Sequence, residues 1–330
     1  MKIATRHVAL MAVFLAALLS SAGTRESTAS DGTPADRSGP PFVRILGTAQ
    51  DGGIPHAACS CERCSLAQRD PAFRRRITSL ALVLPSSNQI LLFDATPDLR
   101  EQLVAVSDLR LTPGDRVDRQ PIDGVFLTHA HIGHYLGLAF FGYEAIHTNG
   151  LPVMATPRMA AFLRTSGPWS QLVEMRNISL RELAPEQSFA AGDRVVITAI
   201  KAPHRDEYAD TLGFMIAGPD RTLLYLPDTD SWTAWTTPVT ELLETVDIAL
   251  LDGTFFSAGE LPGRRIEEIG HPLIEQSMDL LQELVDDRGL QVYFTHFNHS
   301  NPVLDRDGET RGKIESRGFH VLDDGQEFSL

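Results

Sequence analysis

Thr128-His129-Ala130-His131-Ile132-Gly133-His134 follows directly on the apolar run Val125-Phe126-Leu127. The run reads as a buried strand, so three imidazoles leave its end together on a short, rigid segment. Neutral imidazole is the commonest nitrogen ligand of zinc, and a site with open coordination positions takes several ligands from one such segment and the rest from elsewhere in the fold. The stretch therefore predicts one wall of a metal centre. A chance cluster, or histidines satisfied in a core, is the competing reading, and three histidines at this spacing after a strand weigh against it.

Outward from this stretch, polar residues keep recurring at strand ends. Residues 195–200 read as a strand ending at Ala202-Pro203-His204, which places His204 on a loop presented by rigid scaffold. A hairpin over 214–226 runs into Pro227-Asp228-Thr229-Asp230. The two oxygens of Asp228 can bridge two metals, although an aspartate after a strand is also a common turn residue. A strand over 248–251 ends in Asp252-Gly253-Thr254, and Gly270-His271-Pro272 leads into a helix. The last long strand, 292–295, precedes His296-Phe297-Asn298-His299. Upstream, strands over 78–84 and 90–94 turn at Pro85-Ser86-Ser87-Asn88. Asp94, closing the second of them, either supports a ligand histidine from behind or caps the turn that follows.

All three cysteines lie in one loop, as Cys59-x-Cys61-x-x-Cys64. An odd number cannot pair fully, and residues this close make poor disulfide partners. Three thiolates and one more ligand would close a tetrahedral structural zinc, with His56 and His299 as the candidates for the fourth position. One disulfide plus a spare thiol is the alternative in an oxidising compartment.

Residues 1–22 carry Lys2 and Arg6, an apolar core over 8–19 and the small residues Ser20-Ser21-Ala22, the three parts of an export signal. The apolar core is too short for a stable membrane anchor. Residues 23–41 are poor in large apolar side chains and read as a disordered linker, and one large domain fills 42–330. The expected location is periplasmic or secreted. Losing Lys2 and Arg6 leaves 27 basic against 43 acidic residues, a charge near −16. So acidic a surface repels polyanions and argues against nucleic acid as a partner. Arg74-Arg75-Arg76 reads as solvated surface rather than a phosphate track. A small-molecule substrate is the expected partner, with homodimerisation left open.

The histidine stretch resembles the His-x-His-x-Asp-His signature of the metallo-β-lactamase superfamily, with Gly133 where the aspartate usually stands. Gly52-Gly53-Ile54-Pro55, Asp94-Ala95-Thr96-Pro97, Leu251-Asp252-Gly253-Thr254-Phe255, Gly270-His271 and Thr295-His296 are similar to the coenzyme PQQ synthesis B family. The histidines, with His296-x-x-His299, look more like the phosphodiesterases of phosphonate breakdown. The resemblance implies an α/β fold, an αββα sandwich of two mixed sheets flanked by helices with metals at one edge. Carried over, His129, His131 and His204 hold one metal, and His134, His296 and bridging Asp228 hold a second. Gly133 removes a carboxylate from that second site, leaving weak binding or a water in its place. The resemblance also gives His299 to the cysteine zinc and makes His271 the proton donor to a leaving group.

The function implied is that of an exported metallo-hydrolase, in which metal-activated water attacks an ester, lactone or phosphodiester. One zinc would be structural and one or two would be catalytic, with iron or manganese as alternatives at the active site. The rival readings are a PQQ-related protein, iron-dependent and oxidative or acting in transport, and a non-catalytic binder of small ligands.

Overall fold

Strands apolar on both faces dominate the chain, and such strands need cover above and below. A computed structural model describes residues 39–109, 120–192, 194–260, 263 and 270–330. The expected export signal and nearly all of the expected linker lie outside these residues. The strands are β1 (Phe42–Gly47), β2 (Ser79–Leu84), β3 (Gln89–Phe93), β4 (Gly124–Phe126), β5 (Leu151–Ala155), β6 (Ile178–Glu182), β7 (Ser188–Ala191), β8 (Val195–Ala202), β9 (Thr211–Ala217), β10 (Thr222–Leu226), β11 (Ile248–Asp252), β12 (Gln291–Thr295), β13 (His320–Val321) and β14 (Glu327–Ser329). They form two seven-stranded sheets, ordered β14-β1-β2-β3-β4-β5-β6 and β13-β12-β11-β10-β9-β8-β7.

Period-two alternation explains the layers. In β3, Leu91 and Phe93 enter the core between the sheets, while Ile90 and Leu92 face outward into a second core. In β10, Leu223 and Tyr225 point inward and Leu224 and Leu226 outward. Phe93 anchors the inter-sheet layer, its ring 5.0 Å from Phe126 and 5.2 Å from Phe214. Truncating so central a ring to alanine costs about 3–5 kcal/mol.

The helices are α1 (Glu62–Arg69), α2 (Leu99–Ala105), α3 (Ile132–Tyr135), α4 (Pro157–Thr165), α5 (Trp169–Glu174), α6 (Val239–Leu243), α7 (Ile274–Arg288) and α8 (Glu309–Ser316). α2 to α5 cover the first sheet through Leu99, Tyr135, Met159, Leu163 and Trp169. α6, α7 and α8 cover the second through Leu243, Ile274, Leu281 and Ile314. The result is the expected αββα sandwich of mixed sheets.

The pairing directions decide where the site forms. β3, β4 and β5 run parallel, and β1 joins their direction through two antiparallel steps. β10, β11 and β12 are parallel, and β8 shares their direction. The carboxyl ends of β3, β4, β8, β10, β11 and β12 thus deliver Asp94, His129, His204, Asp228, Asp252 and His296 to a shared edge of the sandwich.

The segment after the histidines is α-helical only to Tyr135 and continues as a 3-10 turn over Leu136–Phe141. A Cβ on Gly137 would sit 2.1 Å from the Thr96 carbonyl, so the chain hugs the turn after β3 here. The expectation of solvated surface for Arg74-Arg75-Arg76 holds for Arg74, which is exposed, but not for Arg75 and Arg76, which are half-buried. Arg74 donates to the Ala67 carbonyl, Arg76 to the Leu46 carbonyl, and Arg75 to Thr48, Leu322 and Asp323 while lying over the Phe297 ring. They brace the loop after β1 against the rest of the molecule.

Candidate metal centre

His129, His131, His204 and Asp228 bring one ligand atom each within 4.8 Å of one another. His131 Nδ1 lies 2.8 Å from His129 Nε2 and 3.3 Å from His204 Nε2. Asp228 closes the group, with Oδ2 3.2 Å from His129 Nε2 and Oδ1 3.2 Å from His204 Nε2. A second group shares Asp228 and adds Asp252, His271 and His296. His271 Nδ1 lies 2.8 Å from Asp252 Oδ2 and 3.2 Å from Asp228 Oδ1. One buried carboxylate therefore faces imidazoles from both sides.

His134 stands beside the second group, its Nε2 3.9 Å from Asp228 Oδ2, and His296 Nε2 is 3.8 Å from the same oxygen. Both nitrogens are buried without a hydrogen-bond partner. A buried orphan of this kind costs about 1–3 kcal/mol, so its presence needs a cause. Metal ligation fits, because the opposite nitrogen of each ring is already held: His134 Nδ1 by Asp94 at 2.8 Å and His296 Nδ1 by Thr254 Oγ1 at 2.8 Å. His129 is held likewise, with Thr128 Oγ1 3.0 Å from Nδ1. Imidazoles with one or two carboxylates suit zinc, iron or manganese.

The backbone is strained at two of these positions. Asp94 and His296 have φ values of 65° and 61°, left-handed conformations that cost a non-glycine residue on the order of 1 kcal/mol or more. Such strain persists only where packing over-determines it. Here it turns each side chain at a strand end into the site.

Charge is sorted across the cluster. Burial, with His134 adjacent, holds His129 well below the usual imidazole value, in the neutral form a metal requires. Burial likewise lowers His296. Burial opposes the Asp228 carboxylate, yet His296 and His271 keep it well below the usual carboxylate range. Burial also opposes the His134 cation, but Asp94 outweighs it and raises the group to about 9, so a bound metal would displace a proton from this ring. His271 is raised well above its ordinary value: burial works against it, and Asp252 and Asp228 prevail.

The cysteine loop forms a separate cluster. Cys59, Cys61, Cys64 and His299 gather their ligand atoms within 4.8 Å, and all three thiols are free. His299 Nδ1 lies 3.6 Å from Cys59 Sγ and 3.5 Å from Cys61 Sγ. His56 instead offers its backbone N–H to Cys64 Sγ and packs its ring against that of His299, with centroids 4.6 Å apart.

Three further residues at the main site were not singled out from sequence. Asp252 closes β11 as Asp94 follows β3, a placement that signals its role. Asp230 backs His204 Nδ1 at 3.0 Å. Asp51, in the loop after β1, accepts the Gly133 N–H at 2.8 Å, and its Oδ1 is 4.0 Å from His134 Nε2. The Asp51 carboxylate therefore occupies the space in which a side chain at residue 133 would begin.

Known proteins resemble this chain in sequence and fold. The chain is 27% identical over 308 residues to the coenzyme PQQ synthesis protein B of Methylobacterium sp. (strain 4-46), covering 87% of this chain and 99% of the relative. The structure of zinc-bound PqqB from Methylobacterium extorquens matches with a TM-score of 0.73 and 25% identity, covering 88% of this chain and all of that one. A diphosphatase of the PhnP family shares the fold, with a TM-score of 0.63, 20% identity and coverage of 88% and 97%. Residues 89–297 match the beta-lactamase superfamily domain, and with both sheets and the histidine-lined edge in place, the chain belongs to the metallo-β-lactamase superfamily.

Proposed function

We propose that the protein is a metal-dependent hydrolase acting on a small ester, lactone or phosphodiester. The observation that carries this reading is Asp228, a buried carboxylate within 3.2 Å of His129 and His204 on one side and His271 on the other. His129, His131, His204 and Asp228 would hold one metal, and His134, His296 and Asp228 a second. A metal so placed supplies Lewis acidity and an acidified water. The chain's own groups do the rest. His271, kept protonated by Asp252 and Asp228, holds a proton at the site's margin for a leaving-group oxygen. Export, and the acidic surface of a chain with net charge −14, suit a small extracytoplasmic substrate rather than a nucleic acid.

The relatives' part in coenzyme PQQ synthesis supports a second reading, oxidation with iron in the same ligands. Metal analysis of the full chain, paired with hydrolysis of a chromogenic phosphodiester and a lactone, separates the two. Zinc or manganese with turnover of either substrate is expected. Iron at the site without hydrolysis would replace the hydrolase reading with the oxidative one.

A further inference from the structure

We propose that Asp51 supplies the carboxylate of the second metal position, entering from the loop after β1 into the space that the missing side chain of Gly133 leaves open. The inference rests on the metallo-hydrolase reading and adds a ligand that the histidine stretch does not contain. A Cβ on residue 133 would lie 2.2 Å from Asp51 Oδ1 and 2.8 Å from its Cα. Residue 133 can therefore carry no side chain while Asp51 is where it is, and the two positions are alternatives for one space. Asp51 Oδ1 is positioned by the Gly133 N–H at 2.8 Å and lies 4.0 Å from His134 Nε2. That nitrogen and His296 Nε2 are buried and unpartnered, each within 4.0 Å of Asp228 Oδ2. Ligand atoms about 2.1 Å from a tetrahedral ion stand about 3.4 Å apart, so spacings of this order need only a small contraction.

The loop that carries Asp51 is fixed where a ligand has to be. Gln50 donates its N–H to the Phe297 carbonyl and Phe297 donates to the Thr48 carbonyl, both at 2.9 Å. Asn298 Nδ2 reaches Gln50 Oε1 at 2.7 Å. Asp51 is thus one residue from a backbone ladder whose other rail begins beside His296, and the two sheets are joined at this point. A carboxylate needed only to cap the Gly133 N–H would not require this position beside two orphaned imidazoles.

The test is metal content and chelator competition on the full chain, for the parent and for Asp51→Asn and Asp51→Ala, with the cysteine zinc as the internal control for folding. Asparagine keeps a carbonyl acceptor for the Gly133 N–H and removes the charge. Both variants are expected to retain the cysteine zinc and one active-site ion and to bind the second at least tenfold more weakly. Cobalt-substituted spectra should lose the matching component. If Asp51→Asn and Asp51→Ala hold the same number of ions with the same resistance to chelator as the parent, Asp51 is only a cap and the proposal is wrong, while the hydrolase reading stands. A parent that holds the cysteine zinc alone would overturn both.

Discussion

Asp94 Oδ2 lies 2.8 Å from His134 Nδ1, with both side chains fully out of solvent, and Thr128 gives its backbone N–H and hydroxyl to the same carboxylate. Asp94→Ala leaves the Thr128 N–H without a partner in a dry environment and leaves His134 Nδ1 only the Thr128 hydroxyl at 3.4 Å. The expected loss is about 3 kcal/mol of stability, from a broken buried pair and an orphaned donor. Active-site metal affinity should fall about 10- to 100-fold, because the ring loses the group that orients it. Urea unfolding and chelator competition measure the two effects. A stability change well below 1 kcal/mol with unchanged affinity would reduce Asp94 to a turn residue.

The same pair marks what the sequence makes legible. Asp94, His129, Asp228 and His296 each follow a strand buried along most of its length, and His204 follows β8, whose apolar residues alternate with exposed ones, so a one-dimensional reading finds the strand and then its polar end. β6 and β7 escape that reading because they are edge strands exposed along much of their length, with too few apolar positions to show a period. Asp51 escapes for a different reason. Its meaning depends on a glycine 82 positions away whose missing Cβ makes room for it, and nothing local to either residue records that relationship. Arg75 looks like a surface charge until Thr48, Leu322 and Asp323 are folded around it.

His271 yields a pH-dependent prediction. Its value is raised above the ordinary 6.5, where burial is overcome by Asp252 and Asp228, so the proton-donating form is present at neutral pH and is lost as pH rises through the raised value. The parent should therefore lose kcat/KM on the alkaline side of its profile. His271→Gln should lower kcat/KM about 10²- to 10⁴-fold at neutral pH and abolish that alkaline limb, with KM little changed. Steady-state kinetics on a chromogenic phosphodiester across neutral to alkaline pH provides the check. A variant that keeps the limb removes His271 from proton transfer, and one that loses an active-site ion makes it a ligand instead.

His299 connects the cysteine cluster to the histidine-lined edge, because it shares a loop with His296, and Phe297 in that loop pairs with the segment that carries Asp51. Burial pushes the Cys64 thiol up to about 12, whereas the Cys64 N–H lowers Cys61. A cation among these sulfurs would stabilise the thiolate forms, and its binding energy would appear as folding energy. His299→Ala should release the cysteine zinc or weaken it severely. At a cost of about 3 kcal/mol, the melting temperature should fall by roughly 5–10 °C. Activity should fall less than in His271→Gln, since the ligands of the main site remain. Zinc content and thermal melting of His299→Ala decide the matter. An unchanged count and melting temperature would mean that the three cysteines find their fourth partner elsewhere, and that the loop bearing His296 is held by its hydrogen bonds to Thr48, Gln50 and Thr254 without help from His299.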